Sequence, residues 1–290
     1  MGSRQRERFT PRGLGRPVPL AITRSFPTFF SHAVAVPYEA LAVGYDAVMD
    51  HVDYDAWAAY VHRLLQNHGD RVQTVLELAG GTGSLALRLQ PLGPYRYTLT
   101  DGSTAMLRQA ARKVAGAHRS IRCQRVRFQD LSRAALGDRP PFDAVVLVYD
   151  GLNYLRTPDA VANLFQRMHN VLRPGGIGLF DHATPTNSEV HGDDFTDEGT
   201  IGDFSYVRES HYDAAAHRHT TTFTLNINGT HVCETHIQRP YPLETIRALL
   251  NVSPLHILTA YDGRTPHPAH ATSHRVHWVV RRPPRHPHAA

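Results

Sequence analysis

Hydrophobic and polar positions change rhythm three times along the chain. In residues 38–65, YEALAVGYDAVMDHVDYDAWAAYVHRLL, apolar side chains recur every three or four positions, the spacing of an amphipathic helix. A break near residues 52 and 53 predicts two helices, with Asp53 or Asp55 placed to cap the second. From residue 72 short apolar runs take turns with helical patterns: VQTVLELA with SLALRLQ, YRYTLT with STAMLRQAARKVA, IRCQRVRF with a short helix, FDAVVLVY with PDAVANLFQRMHNVL, then GIGLFDH. Five such runs separated by helices predict a parallel sheet covered on both faces, because strands buried on both sides are apolar throughout. After His182 the period drops to two. DFSYVRESHYD, HRHTTTFTLNI and THVCETHIQRP alternate in polarity, and Asn228-Gly229 between the last two is a hairpin turn pair, so an antiparallel insert is predicted. LETIRALL, LHILTAYD and SHRVHWVV then supply a helix and two strands, completing a seven-stranded sheet.

The 290 residues are 41% hydrophobic and 20% charged, enough apolar surface to bury a large core. No apolar run approaches the roughly 18 residues of a membrane helix. Two cysteines, Cys123 and Cys233, exclude a disulfide framework and point to a cytoplasmic setting. The net charge of +5 first suggests a polyanionic partner, but residues 1–30 and 263–290 each carry +5, which leaves −5 on residues 31–262. Lys113 is the single lysine among 31 basic residues, an arginine skew that reads as codon bias. The Arg-, Pro- and Gly-rich leader, residues 1–35, and the Pro-broken end, residues 283–290, are expected to be flexible, and the acidic stretch 188–203 to be a solvated loop.

Candidate chemistry concentrates at the first strand-to-helix turn, residues 77–83, ELAGGTG. Its glycines let the backbone approach a ligand closely, and the helix beginning near Ser84 points amide donors into the same space. Gly81, Gly83 and Ala86 also satisfy the GxGxxA form of a dinucleotide fingerprint, so a nicotinamide dehydrogenase is one reading. Asp101, ending the second strand, suits a ribose in either case. Glu77 distinguishes them, since a carboxylate closing the first strand fits a ligand with a cation nearby and not a pyrophosphate.

These residues resemble the class I S-adenosylmethionine-dependent methyltransferases. ELAGGTG is similar to that family's first motif, TDGSTAML to its second-strand acid and adenine-contacting segment, and LRPGG before GIGLFD to the turn into its fifth strand. A bacterial small-molecule subgroup is the nearest match, through YDAVMDHVDYDAW, YDGLNYL after the fourth strand, and RESHYD and HIQRPY farther on. Gly80 stands where that subgroup often has Cys, and Gly151 where it often has Ser.

The resemblance implies an α/β fold: a Rossmann-like, seven-stranded, mostly parallel sheet with helices on both faces and an antiparallel β insert after strand five. Residues 36–187 and 241–282 would form the catalytic domain, and residues 188–240 an insert lying over the cleft as a substrate lid. It implies S-adenosyl-L-methionine as cofactor and a small-molecule methyl acceptor. Glu77 would sit near the methionine end, Ala79, Gly81 and Gly83 along the turn, and Asp101 on the ribose hydroxyls. Met106 would pack on the adenine, and Asp130, beside Leu131, would take its amino proton; a core residue and a helix cap are the plainer alternatives. Tyr149 follows the fourth strand, while Tyr45 and Trp57 would close over the cofactor or simply fill the core. Asn153, Tyr154, Arg208, His236 and Arg239 are the residues implied for the acceptor.

Methyl transfer from a sulfonium is an in-line displacement that gains most from alignment. A neutral amine needs no base, whereas an oxygen nucleophile does, and Asp150, His182 and His236 are the candidates. His217 with His219, and His267, His270, His274 and His277, match no recognised ligand spacing, so no metal is expected. Alternatives left open are an RNA methyltransferase that uses the basic ends, and a non-catalytic protein that binds the cofactor.

Overall fold

The computed structural model describes residues 34–191 and 195–284, and the expected flexible leader lies almost wholly outside them. A short strand β1 (Val34–Ala35) precedes helices α1 (Tyr45–Val48) and α2 (Tyr54–His68). The chain then alternates through β2 (Thr74–Glu77), α3 (Ser84–Leu89), β3 (Arg96–Asp101), α4 (Thr104–Gly116), β4 (Ile121–Arg125), β5 (Phe142–Leu147), α5 (Pro158–Val171) and β6 (Leu172–Ala183). Helix α6 (Pro185–His191) leads to β7 (Phe195–Ile201), β8 (Phe204–Asp213), β9 (Arg218–Ile227) and β10 (Thr230–Gln238). Helix α7 (Leu243–Asn251), β11 (His256–Asp262) and β12 (Arg275–Arg281) follow. Side-chain oxygens set the starts of the longer helices: Asp53 caps α2 by accepting the Ala56 N–H at 2.8 Å, and Ser103 and Thr157 cap α4 and α5.

The seven-stranded sheet has the order β11-β12-β6-β5-β2-β3-β4. It is parallel from β6 to β4, and β12 runs antiparallel to both its neighbours, which is the Rossmann-like arrangement expected. From β2 the chain moves outward through β3 and β4, then returns to lay β5 on the other side of β2. Connections leaving in opposite directions open a crevice at the carboxyl ends of β2 and β5. Apolar clusters fill both faces, with Leu64, Leu85 and Leu107 from α2, α3 and α4 on one, and Phe165 and Ile246 from α5 and α7 on the other.

The second sheet has the order β1-β10-β9-β8-β7. Asn228 and Gly229 both adopt left-handed backbone (φ 51° and 82°), the geometry of a tight hairpin turn. Alternation sends Phe204, Tyr206, Phe223 and Leu225 to one face, where they pack on Leu41, Val48 and Met49 from the segment before α2. One expectation is corrected. Residues 195–201 form the edge strand β7 instead of a loop, and acidic side chains suit such an edge because they discourage pairing with another strand. The basic segment from residue 263 is largely folded: Arg264 lies over the Trp57 ring, Arg275 is in an ion pair, and Arg281 and Arg282 donate to backbone carbonyls of His68, His169 and Leu172. No helix among the described residues is long and apolar enough to cross a membrane.

Candidate active site

Two cavities meet at the carboxyl edge of the seven-stranded sheet. The larger, about 770 Å³, follows the turns after β2 and β3; the smaller, about 440 Å³, lies between the turn after β5 and the inner face of the second sheet. Tyr38, Tyr45, Tyr149 and Tyr154 line both, so the passage between them is a waist of phenols.

In the larger cavity two carboxylates close adjacent strands. Glu77 ends β2 and is only 3% exposed, with Oε2 accepting the Tyr97 hydroxyl proton at 2.9 Å. Burial pushes its carboxyl up to about 8 against the opposing Tyr97 hydrogen bond, and among the described residues no basic side chain pairs with it. Asp101 ends β3, accepting the Gly81 N–H at 2.9 Å through Oδ2 and the Ser103 N–H at 2.7 Å through Oδ1. Burial raises this carboxyl too, and the N–H donors oppose it. Each oxygen keeps a further lone pair for a ligand hydroxyl.

Gly81 is left-handed (φ 56°), and a Cβ there would meet nothing within 4 Å, so glycine serves the turn and leaves the cavity open. Gly83 (φ 80°) is placed differently: it precedes α3 off the cavity wall and lets Ala110 of α4 approach. At Gly80 a Cβ would lie 2.7 Å from Leu99 Cγ, and at Gly151 2.6 Å from Leu147 Cδ1. Leucines therefore occupy the room that Cys or Ser would use at these positions. Ala79, Met106, Trp57 and Tyr45 all line this cavity. Asp130 and Leu131 do not: Asp130 pairs with Arg127 at 2.6 Å on the surface, Leu131 is core, and Arg127, Phe128 and Gln129 form the wall instead.

Around the smaller cavity the structure gathers Asp150, Asn153, Tyr154, Arg208 and His236. Asn153 is occupied by three bonds of 2.8–2.9 Å to the backbone of Ala183 and Arg239, which splice β6 to the end of β10. Arg208 reaches Asp197 of β7 at 2.9 Å. Arg239 lies off the wall, donating to the Arg156 carbonyl and covering Tyr241. His182 is wholly buried away from both cavities, with Nδ1 accepting the Trp278 indole proton at 3.2 Å. Burial holds its pKa down to about 3, so the ring stays neutral, and it reaches neither cavity to act as a base.

Asp150 accepts a bidentate Arg275 at 2.5 and 2.7 Å. Beside it, fully buried Asp181 accepts from Arg275 at 3.0 Å and from the N–H groups of Tyr149 and Asp150 at 3.0 and 2.9 Å. Tyr149 and Asp150 are consecutive left-handed residues (φ 70° and 64°), a conformation costing of order 1–3 kcal/mol each. Asp181 fixes that turn and Arg275 balances the two acids. Sequence reasoning missed both, because neither lies in a turn motif; a lone acid inside the apolar run GIGLFDH was the one signal present. A second joint ties α1 to the glycine turn, where Lys113 Nζ meets Asp46 and Ser84 at 2.7 Å each and Thr82 at 3.2 Å.

Residues 75–176 match the model of a methyltransferase domain. The Bacillus subtilis (strain 168) protein named "Putative methyltransferase YqeM" is 35% identical over 220 residues, covering 73% of this chain and 84% of its own length. Among solved structures, an S-adenosylmethionine-dependent methyltransferase from Clostridium acetobutylicum ATCC 824 superposes with TM-score 0.70 at 23% identity, over 85% of this chain and 99% of the other. The sugar N-methyltransferase KedS8 from Streptoalloteichus sp ATCC 53650 does so with TM-score 0.67 at 20% identity, over 88% and 96%. With its glycine turn, its strand-end acids and this kinship, the chain belongs to the class I S-adenosylmethionine-dependent methyltransferases, whose cofactor is S-adenosylmethionine.

Proposed function

We propose that this enzyme methylates a nitrogen or oxygen of a small molecule held in the smaller cavity. The observation that carries the reading is the tyrosine waist, which joins a cavity suited to the cofactor to a second one of about 440 Å³, within the range of small-ligand pockets. The larger cavity fits the cofactor chemically. Glu77, a buried carboxyl with no cation of its own among the described residues, would take the methionine ammonium, and Asp101 the two ribose hydroxyls. Met106 and Phe128 offer a thioether and a ring to the adenine, while Tyr45 and Trp57 cover it. Bound there, the cofactor supplies an electrophilic methyl group on a sulfonium.

The chain's own part is alignment and exclusion of water. Four phenols narrow the passage to one line of approach, and their electron-rich faces favour positive charge at the waist. Ser210, Thr221 and Gln238 on the inner face of β8, β9 and β10 offer hydrogen bonds to a polar acceptor, which gives residues 188–240 the role of acceptor-side cover. The RNA alternative depends on the basic ends; at the C-terminal one Arg264, Arg275, Arg281 and Arg282 are spent on the fold, and residues 1–30 lie outside the described residues. The test is incubation with S-adenosylmethionine carrying a 13C methyl and a fractionated metabolite extract, alongside RNA. Label in a small product is expected. Label in RNA, or cofactor binding with no transfer anywhere, would overturn the proposal.

A further inference from the structure

A hydrogen-bonded chain of four side chains leads from the waist into the interior. Tyr38 and Tyr154 hydroxyls are 2.5 Å apart, Tyr154 Oη is 2.8 Å from His236 Nδ1, and His236 Nε2 is 2.8 Å from Glu234 Oε1. Glu234 and His236 sit two apart on β10, so they share its inward face, and both are buried.

Chemistry fixes the direction of every proton in this chain. Glu234 accepts the N–H groups of Tyr38, Ala40 and Leu41 at 2.5, 2.9 and 3.1 Å, an all-donor surround that suits the ionised, acceptor-only carboxylate. A carboxylate at Nε2 places the imidazole proton there and leaves Nδ1 with its lone pair. Tyr154 must then donate to Nδ1, which leaves its oxygen to accept from Tyr38. Tyr38 is left with acceptor capacity at the waist. Its backbone is pinned on both sides in a conformation unusual for a bulky residue, φ 64°, with the N–H bound by Glu234 and the carbonyl by Ser103 Oγ at 2.9 Å.

We propose that Tyr38, Tyr154, His236 and Glu234 form a proton relay that deprotonates the acceptor, and that the acceptor atom is a hydroxyl oxygen. This rests on the small-molecule reading above and narrows it. The acceptor oxygen forms its bond to the methyl carbon as the carbon–sulfur bond breaks and leaves its electron pair on sulfur. The hydroxyl proton passes to Tyr38, that of Tyr38 to Tyr154, and that of Tyr154 to His236 Nδ1. The positive charge lost from sulfur thus reappears as an imidazolium beside Glu234. Both ring nitrogens of His236 are engaged, so it acts through the tyrosines and not by touching the acceptor. A cationic amine is disfavoured, because Asp150 is the only carboxylate lining the smaller cavity among the described residues and Arg275 already holds it.

Two measurements test the relay. A histidine-selective long-range 1H–15N spectrum of the full chain, with His236 assigned by its absence in His236→Gln, is expected to show the Nε2–H tautomer. In turnover of 13C-methyl S-adenosylmethionine with the metabolite extract, the labelled product is expected to be an O-methyl compound. Tyr38→Phe, Tyr154→Phe and His236→Gln are each expected to lower kcat by about 100-fold or more while KM stays within about threefold. Unchanged circular dichroism and an unchanged urea midpoint show that the variants are folded. An Nδ1–H tautomer, or a Tyr38→Phe and a Tyr154→Phe that both turn over like wild type, would overturn the relay. An N-methyl product would overturn the oxygen acceptor while leaving the small-molecule reading intact. An extract with no labelled small product would overturn that reading and this inference with it.

Discussion

The two cavities are built by opposite strategies. The larger is made mostly from consecutive turns: Glu77 ends a strand, the glycine turn follows it, and Asp101 ends the next strand with Ser103 two residues on. The smaller is assembled across the chain, with Tyr38 and Tyr154 separated by 116 positions, and Tyr154 and His236 by 82. Local geometry is set once strand and turn form, so the cofactor side needs little support from elsewhere. The acceptor side exists only where the N-terminal segment, the turn after β5 and the second sheet are brought into register. Its integrity therefore rests on a few long-range joints, of which Arg275 with Asp150 and Asp181 is the one that gathers three charged side chains.

Breaking that joint is expected to have the largest effect. Arg275→Met leaves the fully buried Asp181 and the partly buried Asp150 without their counter-ion, and removing one partner of a buried ionic group costs about 3–5 kcal/mol. The expected outcome in urea denaturation is a fall in stability of that size, partly restored in the double variant with Asp150→Asn. A stability within about 1 kcal/mol of wild type would mean that the joint does not couple the two cavities.

Asp101→Ala tests the opposite side. It removes an acceptor for two ribose hydroxyls, each charge-assisted bond contributing about 1.5 kcal/mol or more, so S-adenosylhomocysteine is expected to bind about 100-fold more weakly by calorimetry. The His236 tautomer should be untouched, since the relay lies across the waist. An affinity within about threefold of wild type would show that the turn alone carries the cofactor.

The same contrast decides what was legible in the sequence. The five-strand alternation, a cap at Asp53 or Asp55, the Asn228-Gly229 hairpin and the final two strands follow from period and turn chemistry, and the structure has all of them, with Asp53 as the cap. Glu77, Asp101 and Gly81 were visible because strand ends and glycine turns mark themselves. Arg275, Asp181 and Tyr38 were not, because their meaning comes from partners that no local pattern supplies. Glu234 is the intermediate case: an acid two residues from His236 on the inward phase of an alternating strand is a readable anomaly. His182 misled for the same reason in reverse. At the end of the run GIGLFDH it is a candidate base, but β6 continues to Ala183 and pairs with β12, which keeps the ring in the core.

Glu77 supplies a pH test confined to the cofactor side. Its carboxyl is raised by burial from an ordinary 4.5 to about 8, so between those values the folded apo chain holds a proton that the unfolded chain has lost. The native state binds more protons in that window, and its stability from this group must fall as pH rises from 4.5 to about 8. An ammonium placed beside Glu77 favours the carboxylate, so binding expels the proton. S-adenosylhomocysteine affinity is expected to rise up to about tenfold per pH unit below about 8 and then level off. Calorimetry at pH 7 in buffers of different ionisation enthalpy should count about one proton released, and none in Glu77→Gln. Equal proton release in both proteins would move the ammonium away from Glu77.

The smallest effect is expected at the second joint, and it bears on composition. An arginine skew that leaves one lysine in the chain reads as codon bias, which makes the exception informative. Lys113 converges on three oxygens from two elements, Asp46 of α1 and the Thr82 and Ser84 hydroxyls at the glycine turn. Although burial pushes the Asp46 carboxyl upward, Lys113 and the two hydroxyls hold it below its ordinary value. A compact ammonium can aim three protons at three converging acceptors, whereas a planar guanidinium directs its donors outward in a fork. The site is partly exposed, with side-chain exposures of 29% for Lys113 and 46% for Asp46, so solvent limits what the cluster is worth. Lys113→Arg is expected to cost about 0.5–1 kcal/mol in urea denaturation and to change S-adenosylhomocysteine affinity by less than about threefold. A variant as stable as wild type would show that any cation serves between α1 and the turn, and Lys113 would then carry no more meaning than the arginines around it.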